Sequence, residues 1–220
     1  MTSRARQISH NPWLDIPLSD YERHMNASSV AQASMLSDTL RELVEAYRPR
    51  SLALLGAAGG NGLDRVDPSV TQRVVTVDIN AEYLDACRTR YCERFASFEQ
   101  VHCDLSSGLP FTNPVELVYA GLILEFLEVD VFLDYAASLV TESGRIAFVF
   151  QEANREQGAV TNSGVASLQS LKSTHATVDV AKVIDALLAR GMTVEERRGM
   201  VTTAGKSFTL LTMKKCQRLL

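Results

Sequence analysis

Apolar positions in this chain recur with two periods that take turns along its length. Short unbroken runs suit strands buried on both faces: Leu52-Ala53-Leu54-Leu55, Val74-Val75-Thr76-Val77, then residues 97–103, 115–121 and 145–150. Between them apolar residues return at every third or fourth place, as in helices with one buried stripe. Residues 28–47 carry Leu36, Leu40, Leu43, Val44 and Tyr47 in that pattern, with Asp38, Arg41 and Glu42 opposite and Pro49 closing the helix. A second helix runs from Asn80 or Ala81 to about Phe95, with Leu84, Cys87, Tyr91 and Phe95 inward and Arg88, Arg90, Glu93 and Arg94 outward. A third, from about Glu125 to Val140, has the stripe Leu127, Val131, Tyr135 and Leu139 and stops at Gly144. A fourth covers 178–189 on Val180, Val183, Ile184, Leu187 and Leu188, and stops at Gly191. The last two strands, 192–200 and 206–213, are joined through Thr202-Thr203-Ala204-Gly205 and form a hairpin.

Strands alternating with helices predict an α/β fold with a Rossmann-like doubly wound sheet, mostly parallel, to which the hairpin adds one antiparallel strand. Residues 1–27 form an N-terminal arm or lid, and 28–220 a single domain. Within the arm, residues 1 to about 12 read as disordered or loosely packed. The stretch 11–18 alternates apolar residues with turn formers and holds Trp13, the only tryptophan, as an anchor or a substrate contact. Tyr21 and His24 follow on a short helix starting near Ser19-Asp20. At the other end of the domain, residues 151–174 are polar, contain Gly158 and Gly164, and show no firm periodicity. They leave the carboxyl end of the fifth strand, on the ligand side of such a sheet, with Gln151, Glu152 and Asn154 nearest the site.

The first strand breaks into Gly56-Ala57-Ala58-Gly59-Gly60-Asn61-Gly62. Four glycines there permit sharp turns with positive φ and let a ligand approach backbone N–H groups closely. The next residues, 63–68, are too short for a full helix before Pro68. The second strand ends in Asp78, about 20 residues on, where a carboxylate can accept hydrogen bonds from both hydroxyls of a ribose. The third ends in Asp104, followed by Leu105-Ser106-Ser107-Gly108-Leu109-Pro110-Phe111. Three consecutive strand ends thus carry a glycine loop and two acids, a site for a nucleotide-like cofactor.

On these residues the chain resembles the class I S-adenosylmethionine-dependent methyltransferases, whose first motif reads acid-x-Gly-x-Gly-x-Gly-x-Gly. Gly56, Gly60 and Gly62 match it, Ala58 stands where the second glycine is usual, and Leu54 where an acid is frequent. The resemblance implies S-adenosylmethionine as cofactor, held by Gly56, Ala57, Ala58, Gly60, Asn61, Gly62 and Ala120, with Asp78 on the ribose and Ile79 beside the adenine. Asp104 and Leu105 would contact the adenine amino group, the motif carrying one extra residue before Leu109-Pro110. The fourth strand ends in Tyr119-Ala120-Gly121 as in that family, but continues as Leu122-Ile123-Leu124-Glu125-Phe126-Leu127. The family's lid habit makes Tyr21 and His24 candidates to face the transferred methyl group, and its terminal hairpin matches the one read here.

Composition narrows the partners. A net charge of −4 and a pI of about 5.6 give no general attraction to nucleic acid, and the basic pairs Arg197-Arg198 and Lys214-Lys215 are too short to track phosphates. Cys87, Cys92, Cys103 and Cys216 show no metal-binding spacing, so no metal is expected, and they read as buried small residues in a reducing cytoplasm. No membrane-spanning run or signal peptide is evident. A small-molecule acceptor, methylated on oxygen or nitrogen, is the expected substrate.

No residue stands out as a general base. Glu125 either takes a proton or holds a substrate amine, or serves as a helix N-terminal acid. His102 reads as a packed strand residue and His175 as solvated. Two alternatives stay open. The glycine loop also resembles that of short-chain dehydrogenases, although no tyrosine here has the lysine four residues on that those nicotinamide enzymes need. The second is a non-catalytic binding or regulatory protein of the same fold, consistent with Leu54, Ala58 and the missing base.

Overall fold

The computed structural model describes residues 11–108, 113–151 and 161–216. Seven strands form one sheet: β1 (Ser51–Leu55), β2 (Arg73–Asp78), β3 (Ser97–His102), β4 (Val115–Gly121), β5 (Val140–Gln151), β6 (Met192–Val201) and β7 (Ser207–Lys215). Their spatial order is β3-β2-β1-β4-β5-β7-β6. The first five are parallel, and β7 runs antiparallel to both β5 and β6. The chain steps outward from β1 through β2 to β3, then returns to lay β4 on the other side of β1. That reversal opens a crevice at the carboxyl ends of β1 and β4, the place where open α/β sheets bind ligands.

Side chains alternate across each strand and so build a core on either face. One face joins Leu52, Leu54, Val74, Leu117 and Tyr119 to Leu36, Leu40, Leu43 and Val44 of α2 (Gln32–Tyr47) and Cys87 of α3 (Ala81–Tyr91), after α1 (Leu18–Asn26). The other joins Ala53, Leu55, Val75, Val118, Ile146 and Phe148 to Phe132, Leu133 and Ala136 of α4 (Val129–Leu139) and Val183 and Leu187 of α5 (Val180–Ala189). Each fully buried leucine or valine contributes about 1.5–3 kcal/mol.

Several element ends differ from the pattern-based expectation. α2 begins at Gln32 rather than near Ser28, because a turn in which Val30 and Ala31 both donate to Ala27 O buries Val30 and puts Ala31 at φ 51°. α3 ends at Tyr91: Arg94 N donates to Tyr91 O in a tighter turn, which swings Phe95 inward to stack on Phe98. Glu125 lies in a separate 3-10 turn, Leu124–Phe126, and extended backbone after it resets the helical phase. α4 therefore buries Phe132, Leu133 and Ala136 and leaves Val131 43% exposed. Gly144 does not stop that helix but sits within β5, where an added Cβ would meet Val140 Cγ2 at 2.7 Å. α5 starts at Val180, capped by Asp179, with Leu188 46% exposed. α1 starts at Leu18 without a side-chain cap.

The polar stretch after β5 holds a 3-10 helix, Ala166–Ser173, that buries Leu168 and Leu171. Glu152, Asn154, Gly158, Leu109, Pro110, Phe111 and residues 1–10 lie outside the described residues. Only Cys87 of the cysteines is buried; Cys92 and Cys103 are half-buried and Cys216 is exposed. His102 is exposed as well, since β3 is an edge strand, and its Nε2 bonds Ile79 O at 2.9 Å. No helix among the described residues is long and apolar enough to cross a membrane.

Candidate active site

The glycine loop is fastened to the end of β2. Gly56 N and Ala57 N both donate to Val77 O, at 2.9 and 3.0 Å. Ala58 N donates to Asp78 Oδ2 at 2.8 Å, and Asn80 N to Asp78 Oδ1 at 2.9 Å. Burial pushes the Asp78 carboxyl above the usual range, against the pull of these N–H donors. A carboxylate has about four lone-pair sites, so Asp78 keeps capacity for ligand hydroxyls.

Above these strand ends lies a cavity of about 620 Å³, lined by Gly56, Ala58, Asp78, Ile79, Asp104, Leu105 and Gly121 of the sheet's loops and by Trp13, Tyr21, Tyr83 and Phe126. Apolar and aromatic walls with two carboxylates among them give it the character of a ligand cleft. Ala57 and Asn61 line a smaller hollow beside it, together with Leu54, Tyr119 and Gly121. Gly60, Gly62 and Ala120 line neither. Gly60 instead allows close packing on α3, since a Cβ there would lie 2.7 Å from Cys87 Sγ. Gly62 packs on Ser37 of α2, and Ala120 is wholly buried.

A second chamber of about 500 Å³ adjoins the first and shares Trp13, Tyr21, Leu122 and Phe126 with it. His24, Gln32, Glu125, Gln151, Thr161, His175 and Lys206 supply its polar lining. Glu125 is 1% exposed. Its Oε1 accepts from Gln151 N at 2.8 Å, while Oε2 has no partner among the described residues. Burial pushes its carboxyl up to about 7. Lys206, 4% exposed, donates from Nζ to Thr161 Oγ1 at 3.2 Å, and burial brings its ammonium down to about 8. Burial, then the Lys206 charge, lowers both His24 and His175 and favours neutral imidazoles. His175 is thus half-buried against Phe126, edge to face at 5.4 Å, rather than solvated.

Trp13 and Tyr21 border both chambers, and the segment that carries them is fastened at several points. Asn80 Nδ2 donates to Trp13 O at 2.9 Å and Tyr83 Oη to Ile16 O at 2.8 Å. Arg90 bridges Glu22 of α1 and Gly59 O of the loop. Ser167 Oγ donates to Asp20 at 2.6 Å, and His24 Nδ1 bonds Ser163 Oγ at 2.7 Å, which ties the segment after β5 to α1. A small apolar cluster of Ile16, Val165, Leu168 and Leu171 seals the join. Burial raises the Tyr21 phenol, so it stays protonated and serves as a donor or packing surface.

Of the residues singled out from the sequence, Gly56, Ala58, Asp78, Ile79, Asp104, Leu105 and Tyr21 line the first chamber, and Tyr21, His24, Glu125 and Gln151 the second. Lys206, Tyr83, Phe126 and Gln32 were not singled out. Lys206 offered one signal, a cation directly before the apolar-rich stretch that opens the terminal strand.

No protein-family model matches the sequence, and no curated protein matches it. Solved structures do match in shape. The magnesium protoporphyrin IX methyltransferase ChlM from Synechocystis PCC 6803, solved with bound SAH, aligns with a TM-score of 0.68 at 12% identity, over 90% of this chain and 93% of that one. The N-methyltransferase NodS from Bradyrhizobium japonicum WM9, in complex with S-adenosyl-L-homocysteine, aligns at 0.64 and 14%, over 91% and 98%. The chain has the class I methyltransferase fold. The cyclase SpnF also aligns, at 0.62 and 12% over 81% of each chain. A methyltransferase fold therefore does not by itself name the reaction, which has to be argued from the site.

Proposed function

We propose that the protein is an S-adenosylmethionine-dependent methyltransferase acting on a small molecule, with the cofactor in the first chamber and the acceptor in the second. The observation that carries this reading is the bond from Ala58 N to Asp78 Oδ2, which draws the glycine loop and the strand-two acid to one cleft at the β1–β4 crevice. In this reading Asp78 accepts from the ribose hydroxyls, Ile79 and Leu105 flank the adenine, and Asp104 receives its amino group. The hollow by Leu54, Tyr119 and Gly121 takes the amino-acid end. Leu54 offers that end no carboxylate, so its backbone neighbours must do the holding. When bound, the cofactor supplies an electrophilic methyl group on a sulfonium.

The protein's own part is positioning and exclusion of water. Trp13, Tyr21 and Phe126 border both chambers, and the described part of the arm, residues 11–27, acts as the lid over them. The 3-10 turn after the glycine loop, in place of a long helix, and the antiparallel β7 argue against a nicotinamide enzyme. A non-catalytic binding role is disfavoured by the ionisable pair Glu125 and Lys206 in the adjoining chamber, which cofactor binding alone does not require.

Trp13, as the only tryptophan, reports on the site. Titration with S-adenosylhomocysteine is expected to change its fluorescence saturably. Asp78→Ala should weaken that binding by roughly 1.5–3 kcal/mol, the worth of hydrogen bonds to a charged acceptor. An unchanged affinity in this variant would remove the ribose assignment.

A further inference from the structure

The second chamber has a definite charge pattern. Among the described residues that line it, Lys206 is the one cation, because His24 and His175 are held neutral by burial and by that same lysine. Glu125 Oε2, deep in the wall and without a partner among the described residues, is the acceptor left over after Gln151 N has satisfied Oε1. The titratable groups that line the chamber with Glu125 are Lys206 from the β6–β7 turn, Tyr21 and His24 from α1, and His175 from beyond the 3-10 helix, while the Gln151 backbone from β5 closes on its Oε1. Trp13 meets Phe126 edge to face at 5.2 Å and Phe126 meets His175 likewise at 5.4 Å, which gives the chamber an aromatic lining suited to a planar ring.

We propose that this chamber takes a planar acceptor with an acidic hydroxyl, a phenol or enol, whose proton passes to Glu125 Oε2 and whose oxygen, left as an anion, faces Lys206. The step balances within the site: the O–H bond breaks, its electron pair stays on oxygen, and the proton forms a new O–H bond on the carboxylate. The charge moves from Glu125 to the acceptor, still opposite the lysine. An amine acceptor would enter as an ammonium and meet the Lys206 charge instead. Burial, which already brings Glu125 up to about 7, favours its uptake of the proton. Glu125 is then a catalytic residue for an oxygen acceptor, and Lys206 stabilises the developing anion.

The inference rests on the methyltransferase reading, and the test separates the two. The protein is first saturated with S-adenosylhomocysteine, followed by Trp13 fluorescence, and then titrated calorimetrically at about pH 8 with 4-nitrophenol or benzylamine in buffers of differing ionisation enthalpy. Free 4-nitrophenol is largely phenolate under these conditions. The wild type is expected to bind it in preference to benzylamine and to take up protons on binding, close to one at Glu125 and a further fraction at the partly charged Lys206. Glu125→Gln should bind it with clearly less proton uptake, keeping only the fraction that the partly charged Lys206 adds, and Lys206→Met should weaken it by at least about tenfold. S-adenosylhomocysteine binding with preference for benzylamine, with no 4-nitrophenol binding, or with the same proton uptake in Glu125→Gln overturns this assignment and leaves the methyltransferase reading standing. Failure to bind S-adenosylhomocysteine at all overturns both.

Discussion

Ala58 takes φ 45° at the bend of the glycine loop, a conformation that L side chains other than glycine, asparagine and aspartate seldom adopt. The position calls for positive φ because its N–H must turn back to Asp78. An Ala→Gly change ordinarily costs about 0.5–1 kcal/mol in regular structure. Here it should be neutral or stabilising by up to about 1 kcal/mol, since relief of left-handed strain offsets the lost entropy. Chemical denaturation of Ala58→Gly checks this, and an ordinary loss would show that the strain is absent. The same loop shows why residue roles were only partly legible in the sequence. Spacing alone cannot distinguish Gly56, which borders the cavity, from Gly60, which exists to let Cys87 and Tyr91 close in.

Glu125 carries a prediction of its own. Its proton is held more tightly in the folded chain, at about 7, than the ordinary 4.5 of an unfolded glutamate. That preference stabilises the fold fully below about pH 4.5 and is lost as pH rises through 7. Glu125→Gln escapes the loss, so its stability relative to wild type should climb by on the order of 3 kcal/mol between acid and mildly alkaline pH. The burial of Asp78 acts alike in both proteins and cancels in the comparison. A flat difference across that range in paired denaturation curves would mean that Glu125 is hydrated.

At the scale of elements, apolar period located every strand core and most helix faces, because burial on one or both sides leaves a local trace. Helix ends were read less well. α4 lost its expected phase because the 3-10 turn at Leu124–Phe126 resets it, and no residue there announces the change. The arm's fastening was invisible for the same reason: Tyr83 reaches back to Ile16 O and Asn80 to Trp13 O, contacts between residues 67 apart in sequence. Removing one should loosen the roof without unfolding the sheet. Tyr83→Phe is expected to cost about 1–3 kcal/mol by leaving a buried carbonyl unpaired. Hydrogen exchange should then quicken in residues 12–26 and stay slow in β1 and β4. Equal quickening throughout would make the arm part of the core rather than a lid.

At the scale of the molecule, the strand order places β1 and β4 side by side with chain crossings on opposite sides, and this fixes where a ligand can sit. The alternating pattern, with its closing hairpin, was enough to reach that architecture. It could not reach the second chamber, which is assembled from α1, the turn after β4, the segment after β5 and the β6–β7 turn. These pieces lie far apart in the sequence and carry no shared motif. Lys206 acquires its meaning only when β7 lays it opposite Glu125.

The central claim is that the first chamber binds S-adenosylmethionine. Calorimetric titration of the purified protein with S-adenosylmethionine, S-adenosylhomocysteine, NAD and NADP tests it most directly. Binding of both sulfur compounds at micromolar concentration, with no heat from either nicotinamide, is the predicted result. Binding of NAD or NADP alone, or silence from all four, would contradict it.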